Sequence, residues 1–336
     1  MRIKLFILVV TAAPSALAAC GSLATASRGA TAPESLSLQE ALDAVVAAGA
    51  PGAVVLVRDG DRTTAFASGF GNLVRRTPMR VSDRFRIGSV TKTLHCDRCP
   101  PARRRGEALA PGHGRALAPG PRPRRAEDHR PPAAQPDERA LRLPARPERA
   151  RPYLRGDRAY VWTPRKLVGV ATSHRADFAP GARWAYSNTN YVPLGLIVES
   201  ATRKPVGTEL QRRIFAPLDL RATTFDSLPR IAGPHARGYD VLGGRRADVS
   251  VLSPSITWAA GAIVSTADDV ARFYRALLRG RLLRAELLRT METTVPMGTS
   301  GESYGLGLWK TRTMGLSKAG LPCRLVWATT AVTPAM

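Results

Sequence analysis

The stretch that decides the fold is residues 85–92, which read Phe-Arg-Ile-Gly-Ser-Val-Thr-Lys. If Ser89 opens a helix after Gly88, Lys92 lies one turn along on the same face, and its amine can reach the Ser89 hydroxyl. A serine hydroxyl is a weak nucleophile and needs such a neighbour. Burial penalises the charged form of an amine, so a buried lysine can act as a base, and the helix N-terminus offers backbone N–H groups to a developing oxyanion. The pattern therefore predicts acyl-transfer chemistry.

A second pattern, Tyr-Ser-Asn at residues 186–188, follows about a hundred residues downstream. Ser-x-x-Lys alone is a weak signal, because chance easily supplies it once in a chain of 336 residues. Lysine is scarce, however, and of the six lysines only Lys92 has a serine three residues before it. We therefore interpret the two patterns as one site that includes Tyr186 and Asn188. The structural alternative is a turn packed by an aromatic ring.

The positive charge of the chain does not indicate nucleic-acid binding. The net charge of +24 comes almost wholly from arginine, whose codons are GC-rich, so base composition explains it. A nucleic-acid surface would interleave basic and aromatic residues, whereas the arginine-rich residues 101–150 contain no aromatic side chain. We expect no nucleic-acid partner and a monomer. An arginine-rich anion binder with an accidental Ser-x-x-Lys is the alternative.

The first residues of the chain predict export. Residues 1–19 read as a signal peptide, with two basic residues, an apolar run at 5–10 and small residues after it. Residues 17–21, Leu-Ala-Ala-Cys-Gly, resemble the bacterial lipoprotein box, in which cleavage precedes acylation of the cysteine, here Cys20. The prediction is a membrane lipoprotein with a tether at residues 20–36. Cleavage that releases a soluble, secreted protein is the alternative.

The other cysteines do not form a recognisable framework. Cys96, Cys99 and Cys323 remain after Cys20, and an odd number argues against a set of disulfides. The spacing of Cys96 and Cys99 is that of half a zinc site, but no second ligand pair exists. We therefore expect neither a metal nor another cofactor.

The local patterns predict helices and antiparallel strands. Ser37 and Glu40 form a capping box before a helix, and residues 53–58 and 62–67 read as two strands of a hairpin. Farther along, residues 191–202 read as a buried helix, and Thr266 caps another helix with Asp269 at its third position. Residues 304–309 read as a core strand whose glycines allow close approach. Such an order is typical of an α/β sandwich.

These segments together resemble the penicillin-recognising serine hydrolases, on the branch with class C β-lactamases, D-alanyl-D-alanine carboxypeptidases and related esterases. The resemblance covers about two thirds of the mature chain. Its motifs are Phe-x-Ile-Gly-Ser-x-Thr-Lys within residues 52–93, Pro-Gly at 180–181, Tyr-Ser-Asn-Thr-Asn-Tyr at 186–191, Ile-Phe-Ala-Pro-Leu at 214–218, Ala-Ala-Gly at 259–261 and Ser-Thr-Ala-Asp-Asp at 265–269.

The resemblance implies a fold, a mechanism and a substrate class. The fold is α/β and resembles that of β-lactamases and D,D-peptidases: an antiparallel sheet flanked by helices, beside an all-helical region, in one domain at residues 37–336. Ser89 would be the nucleophile, Lys92 its activator, Tyr186 a general base and leaving-group acid, and Asn188 a contact to the substrate amide. Either Lys92 or Tyr186 takes the proton. The substrates would be D-alanyl-D-alanine peptides, β-lactams or related esters and amides, with no cofactor.

Residues 94–153 depart from the family pattern. Residues 101–150 contain no Val, Ile, Phe, Tyr, Trp, Met, Ser, Thr, Asn or Lys, and on this composition we predict that residues 94–153 are disordered. Pro100 and Pro101 should stop the catalytic helix about two turns after Ser89. Read one base later, the possible codons of residues 94–102 permit Phe-Thr-Ala-Thr-Val-Val-Leu-Gln-Leu, an apolar helix continuation. The same shift of residues 133–144 permits a family-like loop, so we hypothesise a frame shift.

Residues 328–336 form a second anomalous segment. The third family motif, Lys-Thr-Gly or His-x-Gly, should follow Val326-Trp327 but does not, and neither does the closing helix of the fold. Loss of one base after the Trp327 codon would explain it. Since the motif supplies carboxylate recognition and one wall of the oxyanion pocket, its loss should cost several orders of magnitude in rate. We therefore predict an impaired enzyme. The alternative is a non-catalytic lipoprotein, or an inactive product of a frame-shifted gene.

Overall fold

A computed structural model of the chain describes residues 4–10, 37–96, 152, 157–173, 178, 185–242, 245–297, 302–311 and 326–328. The strands, numbered in chain order, are β1 Lys4–Val10, β2 Gly52–Asp59, β3 Arg62–Asn72, β4 Thr77–Pro78, β5 Phe85–Arg86, β6 Thr224–Phe225, β7 Tyr239–Leu242, β8 Arg245–Asp248, β9 Ile263–Ser265, β10 Val295–Pro296, β11 Glu302–Tyr304, β12 Trp309–Thr311 and β13 Val326–Ala328. The α helices are α1 Leu38–Ala47, α2 Val90–Cys96, α3 Pro164–Thr172, α4 Tyr191–Thr202, α5 Val206–Leu210, α6 Ala267–Leu278 and α7 Ala285–Glu292.

Helix α1 begins at the predicted capping box. The Glu40 backbone N–H donates to the Ser37 hydroxyl at 3.2 Å, and the Ser37 backbone N–H donates to the Glu40 carboxylate at 2.7 Å. Leu42, which is 2% exposed, packs the helix against Ala53 and Val55 of β2. The cap and the apolar stripe together account for this helix.

The predicted hairpin is confirmed and is longer than predicted. Strands β2 and β3 pair antiparallel, and β2 is buried on both faces. Ala53 and Val55 face α1, whereas Val54 and Leu56 belong to the main core. This explains why β2 reads as a continuous apolar run rather than as an alternating one.

Strand β1 extends the same sheet, whose order is β1-β2-β3-β4. It pairs antiparallel with β2 over seven residues, from Lys4 opposite Asp59 to Val10 opposite Ala53. This strand contains the apolar run that the sequence analysis assigns to an export signal. Cleavage before Cys20, which lies outside the described residues, would remove β1, so the strand and a cleaved leader exclude each other in one chain. The signal peptide stays a prediction.

Three further sheets complete the described strands. Their orders are β10-β11-β12-β13, β5-β9-β6 and β7-β8, and all pairs are antiparallel. Residues 304–309 do not form the single core strand that the sequence predicts. They divide between β11, a turn and β12, because Gly307 has φ +70°, a left-handed conformation that a strand does not accommodate.

The main core contains residues of the buried strand β9 and of helices α2 to α6. Helix α4 spans the predicted residues, and α6 is capped by Thr266, whose hydroxyl accepts from the Asp269 backbone N–H at 3.2 Å. The apolar face of α6 includes Phe273 and Leu277, both 0% exposed. The predicted α/β fold with antiparallel sheets and flanking helices is therefore confirmed. Within the described ranges, no helix is both long and apolar enough to cross a membrane.

The catalytic helix extends into the stretch that we predicted to be disordered. Helix α2 continues through Leu94, His95 and Cys96, so the prediction is wrong for these three residues. Leu94 is 2% exposed and packs in the main core, which orders the last turn. Of residues 97–153, all but residue 152 lie outside the described part of the chain.

Candidate active site

The site is built on the turn that leads into α2. Gly88 has φ +50°, and the backbone N–H of Lys92 donates to the Ser89 carbonyl at 3.0 Å. This tight turn places both side chains on one face, as the spacing predicts. The Lys92 amine donates to the Ser89 hydroxyl at 2.9 Å.

Tyr186 closes a triangle of hydrogen bonds with these two residues. Its phenol donates to the Ser89 hydroxyl at 2.6 Å and accepts from the Lys92 amine at 2.6 Å. Tyr186 precedes α4 and lies more than ninety residues after Ser89 and Lys92 in the sequence. The structure therefore brings together the three residues to which the sequence analysis gives catalytic roles.

The Lys92 amine is buried, and protein groups replace the water that would otherwise surround it. The side chain is 1% exposed, and its amine also donates to the Ala260 carbonyl at 3.2 Å. The amine lies 4.7 Å from the ring centroid of Tyr186 and 5.5 Å from that of Tyr191. Three acceptors and two aromatic faces offset the cost of removing an ammonium group from water.

Two more tyrosines, Tyr191 and Tyr304, lie close to the Tyr186 phenol. Tyr304 packs edge-on against Tyr186, with 5.8 Å between ring centroids. Its hydroxyl lies 3.2 Å from that of Tyr191. The sequence analysis quoted Tyr191 and Tyr304 within motifs but gave neither of them a role. Their place in those motifs was the only signal in the sequence that pointed to these two tyrosines. No such signal points to the Ala260 carbonyl, because it is a backbone group that every residue type has.

Two threonines anchor α2 to the rest of the core. The Thr91 hydroxyl accepts from the Ile263 backbone N–H at 3.2 Å. The Thr93 hydroxyl donates to the Gly307 carbonyl and lies 3.0 Å from the Tyr274 hydroxyl. A Cβ at Gly307 would lie 3.0 Å from the Lys92 carbonyl oxygen, so the predicted close approach at this glycine is confirmed.

Asn188 is buried, and its amide oxygen is unused in the described part of the chain. The residue is 5% exposed, and its Oδ1 has no hydrogen-bond partner there. Such an orphaned acceptor is costly unless a ligand or water satisfies it. It fits the predicted contact to a substrate N–H group.

The last turn of α2 carries a buried histidine. His95 is 2% exposed, and burial lowers its pKa to about 4, an effect that a hydrogen bond with the Leu194 backbone opposes. Its Nε2 has no partner among the described residues. The ring lines a cavity together with Val198, Thr202, Val206, Glu209, Leu210 and Arg213. At neutral pH the ring is uncharged and adds no charge near Lys92.

The position at which the third motif is expected lies on β13, beside β12. Strand β13 pairs with β12, with Ala328 opposite Trp309. Alanine thus stands at this position in place of the Lys or His of the motif. Residues 329–336 and the predicted lipidation site Cys20 lie outside the described part of the chain. In that described part, no cluster of three or more His, Cys, Asp or Glu residues could hold a metal ion.

Comparison with known sequences finds one family over most of the chain. A family model described as Beta-lactamase matches residues 38–96 and 128–332. The match omits residues 97–127, which lie within the anomalous stretch. A curated protein of Escherichia coli (strain K12), named "Putative D-alanyl-D-alanine carboxypeptidase", is 32% identical over 80 residues, or 24% of this chain and 18% of that protein. The matched part is thus under a fifth of the length of such curated relatives.

Solved structures with the same fold extend over more of the chain. A D-stereospecific amidohydrolase from Streptomyces sp. is 33% identical, with a TM-score of 0.70 over 88% of this chain and 87% of that chain. A D-amino acid amidase from Ochrobactrum anthropi SV3, complexed with D-phenylalanine, is 26% identical, with a TM-score of 0.65 over 82% and 81%. A penicillin binding protein from Bacillus halodurans shares the fold, with a TM-score of 0.59, 18% identity and coverage of 78% and 80%. The resemblance that the sequence analysis stated is confirmed.

Proposed function

Because this chain belongs to the β-lactamase family, we propose that it is a serine hydrolase that forms an acyl-enzyme on Ser89. The observation that carries this proposal is the triangle formed by the Ser89 hydroxyl, the Lys92 amine and the Tyr186 phenol, with sides of 2.9, 2.6 and 2.6 Å. A hydroxyl within hydrogen-bond reach of two groups that can exchange protons is the arrangement that nucleophilic catalysis requires.

The proposed acylation step uses all three groups. The Ser89 oxygen attacks the carbonyl carbon of the substrate, and its proton passes to Lys92 or to Tyr186. The phenol, which contacts both other groups, then delivers a proton to the leaving nitrogen or oxygen as the scissile bond breaks. Water attacks the resulting ester in the reverse sense, releases the acid and returns the proton to Ser89. The backbone N–H group of Ser89, in the turn that leads into α2, would help to stabilise the oxyanion.

The proposed substrates are amides and esters next to a D-amino acid, which include D-alanyl-D-alanine peptides and β-lactams. Two neighbours at 33% and 26% identity are named a D-stereospecific amidohydrolase and a D-amino acid amidase. The orphaned Oδ1 of Asn188 supports this choice, because a substrate amide N–H would satisfy it.

We further propose that this chain is an impaired member of its family and is held at the membrane by a lipid on Cys20. Pro100 and Pro101 follow Ser89 closely enough to stop helix α2 early, and Ala328 stands where the third motif should begin. Both features weaken the support of the site. Incorporation of labelled palmitate that is lost in Cys20→Ala would support the anchor, and a secreted, unlabelled chain would contradict it.

Covalent labelling by a fluorescent penicillin tests the catalytic proposal. We expect slow labelling of the purified full-length chain. Ser89→Ala should abolish the labelling, whereas Ser82→Ala, a change at an exposed serine that precedes helix α2 in the chain, should leave it unchanged. Acylation should also be seen as a mass increase on the peptide that contains Ser89. Absence of label from a folded chain would favour the second candidate, a non-catalytic lipoprotein or an inactive product of a frame-shifted gene.

A further inference from the structure

Trp258 has a backbone conformation that large side chains rarely adopt. Its φ is +40°, in the left-handed region, although the residue is bulky and 6% exposed. Such a conformation persists only where the surrounding structure enforces it, and it is often found beside functional sites. The question is therefore what holds Trp258 in place and what its conformation achieves.

Gly195 of α4 provides the space for the indole ring. A Cβ at position 195 would lie 2.5 Å from Cζ3 of Trp258 and 3.0 Å from the Cβ of Ala259. On another side, Phe225 packs edge-on against the indole, with 6.4 Å between ring centroids. The ring is thus held between α4 and β6, and only a glycine at position 195 permits this approach.

The turn that follows Trp258 aims a carbonyl at the active site. The Trp258 carbonyl accepts from the backbone N–H groups of Gly261 at 3.0 Å and Ala262 at 2.9 Å. This tight turn leaves the Ala260 carbonyl free to accept from the Lys92 amine at 3.2 Å. The chain then enters β9, where the Ile263 backbone N–H donates to the Thr91 hydroxyl, so the segment contacts two successive residues of α2, Thr91 and Lys92.

We propose that Trp258 is a positioning residue that acts through the Ala260 carbonyl to orient the Lys92 amine. An uncharged amine has two N–H groups and one lone pair. In this uncharged form the 2.9 Å contact with Ser89 reverses direction: the two N–H groups bind the Ala260 carbonyl and the Tyr186 oxygen, and the lone pair accepts the proton of the Ser89 hydroxyl. Without the carbonyl, the amine is free to rotate about its last carbon–nitrogen bond. The inference rests on the proposed function, because it concerns the activation of Ser89.

Gly195→Ala tests this inference without touching any group in the site. The added methyl group collides with the indole and should displace the turn at residues 258–260. The matched control is Gly169→Ala in α3, where a Cβ meets nothing within 4 Å. The rescue variant combines Gly195→Ala with Trp258→Phe, whose smaller ring leaves room for the methyl group. Two readouts are compared: the rate of penicillin labelling, and the 13Cε resonance of Lys92, assigned by its loss in Lys92→Arg.

We expect Gly195→Ala to slow labelling by about 10- to 100-fold, to move the Lys92 resonance and to retain the circular-dichroism spectrum of the wild-type chain. Gly169→Ala should change neither readout, and the rescue variant should restore part of both. Wild-type labelling together with an unmoved resonance in Gly195→Ala overturns the inference, and so does an equal effect in Gly169→Ala.

Two further outcomes keep the test decisive. If Gly195→Ala does not fold, Trp258→Phe alone is compared with wild type by the same readouts, and an unmoved Lys92 resonance with unchanged labelling overturns the inference. If the wild-type chain takes no label on Ser89, the proposed function fails by itself. The Lys92 resonance in Gly195→Ala then decides the inference separately.

Discussion

At the scale of single residues, Lys92 combines complete burial with several polar contacts. Its side chain is 1% exposed, and its amine binds Ser89, Tyr186 and the Ala260 carbonyl. A buried ammonium group costs several kcal/mol unless such partners compensate. The Tyr186 phenol thus has two tasks, since it stabilises Lys92 and also binds the Ser89 hydroxyl.

Tyr186→Phe should separate the phenol hydroxyl from the ring that packs against Lys92. We expect the rate of penicillin labelling to fall by about 100-fold or more, as is usual when an acid–base group is removed. The control is Tyr239→Phe on β7. It removes a phenol hydroxyl that also makes a hydrogen bond, because the Leu73 backbone N–H donates to it at 2.8 Å. Labelling of Tyr186→Phe at the wild-type rate would show that the phenol moves no proton.

At the scale of elements, helix α2 contains the buried imidazole of His95, whose charged form is disfavoured by burial. Burial lowers the pKa of His95 from 6.5 to about 4. Between these pH values the unfolded chain binds a proton that the folded chain does not. The free energy of unfolding therefore decreases as the pH is lowered through this window, by on the order of 3 kcal/mol.

His95→Leu should remove this pH dependence and stabilise the chain. The leucine fills apolar space without the orphaned Nε2 and without a group that must stay uncharged. Urea unfolding at pH 7 and pH 5 checks both effects: the midpoint should rise at both values, and more at pH 5. His235→Leu, on a surface loop where the Nδ1 atom lies 2.7 Å from the Gly233 carbonyl, is the control. If wild type and His95→Leu lose stability equally between pH 7 and pH 5, His95 is not the titrating group.

At the scale of the whole molecule, the stability of the sheet β1-β2-β3-β4 depends on whether residues 1–19 stay attached to the chain. Strand β1 covers the edge of β2 that lies opposite β3. Cleavage before Cys20 would remove β1 and expose the N–H and C=O groups along that edge. An uncovered apolar edge destabilises a sheet and promotes association with other chains.

The chain of residues 20–336 should therefore be less stable than the full-length chain and should aggregate more readily. Leu8→Pro in the full-length chain should reproduce the loss of stability, because Leu8 lies opposite Val55 and proline cannot donate to the ladder. Urea midpoints and light scattering measure the two effects. Equal midpoints for all three chains would show that β1 contributes nothing to the sheet.

The features that the sequence predicted correctly depend on near neighbours in the chain. The Ser37–Glu40 capping box, the β2–β3 hairpin and the shared helical turn of Ser89 and Lys92 each follow from spacing over a few residues. Backbone geometry at that range leaves few conformations open. The family resemblance adds the catalytic role predicted for Tyr186 and the substrate contact predicted for Asn188, but no distances.

Other features were decided by contacts between distant segments. The strand break at Gly307, the burial of His95 and the pairing of β1 were not predicted, because each depends on which segment packs against it. What the sequence by itself determined is the identity of the reacting groups and the helical turn that holds two of them. Only the tertiary structure placed the Tyr186 phenol and the Ala260 carbonyl on Lys92, because both come from segments about ninety residues or more away, and only the packed core sets such distances.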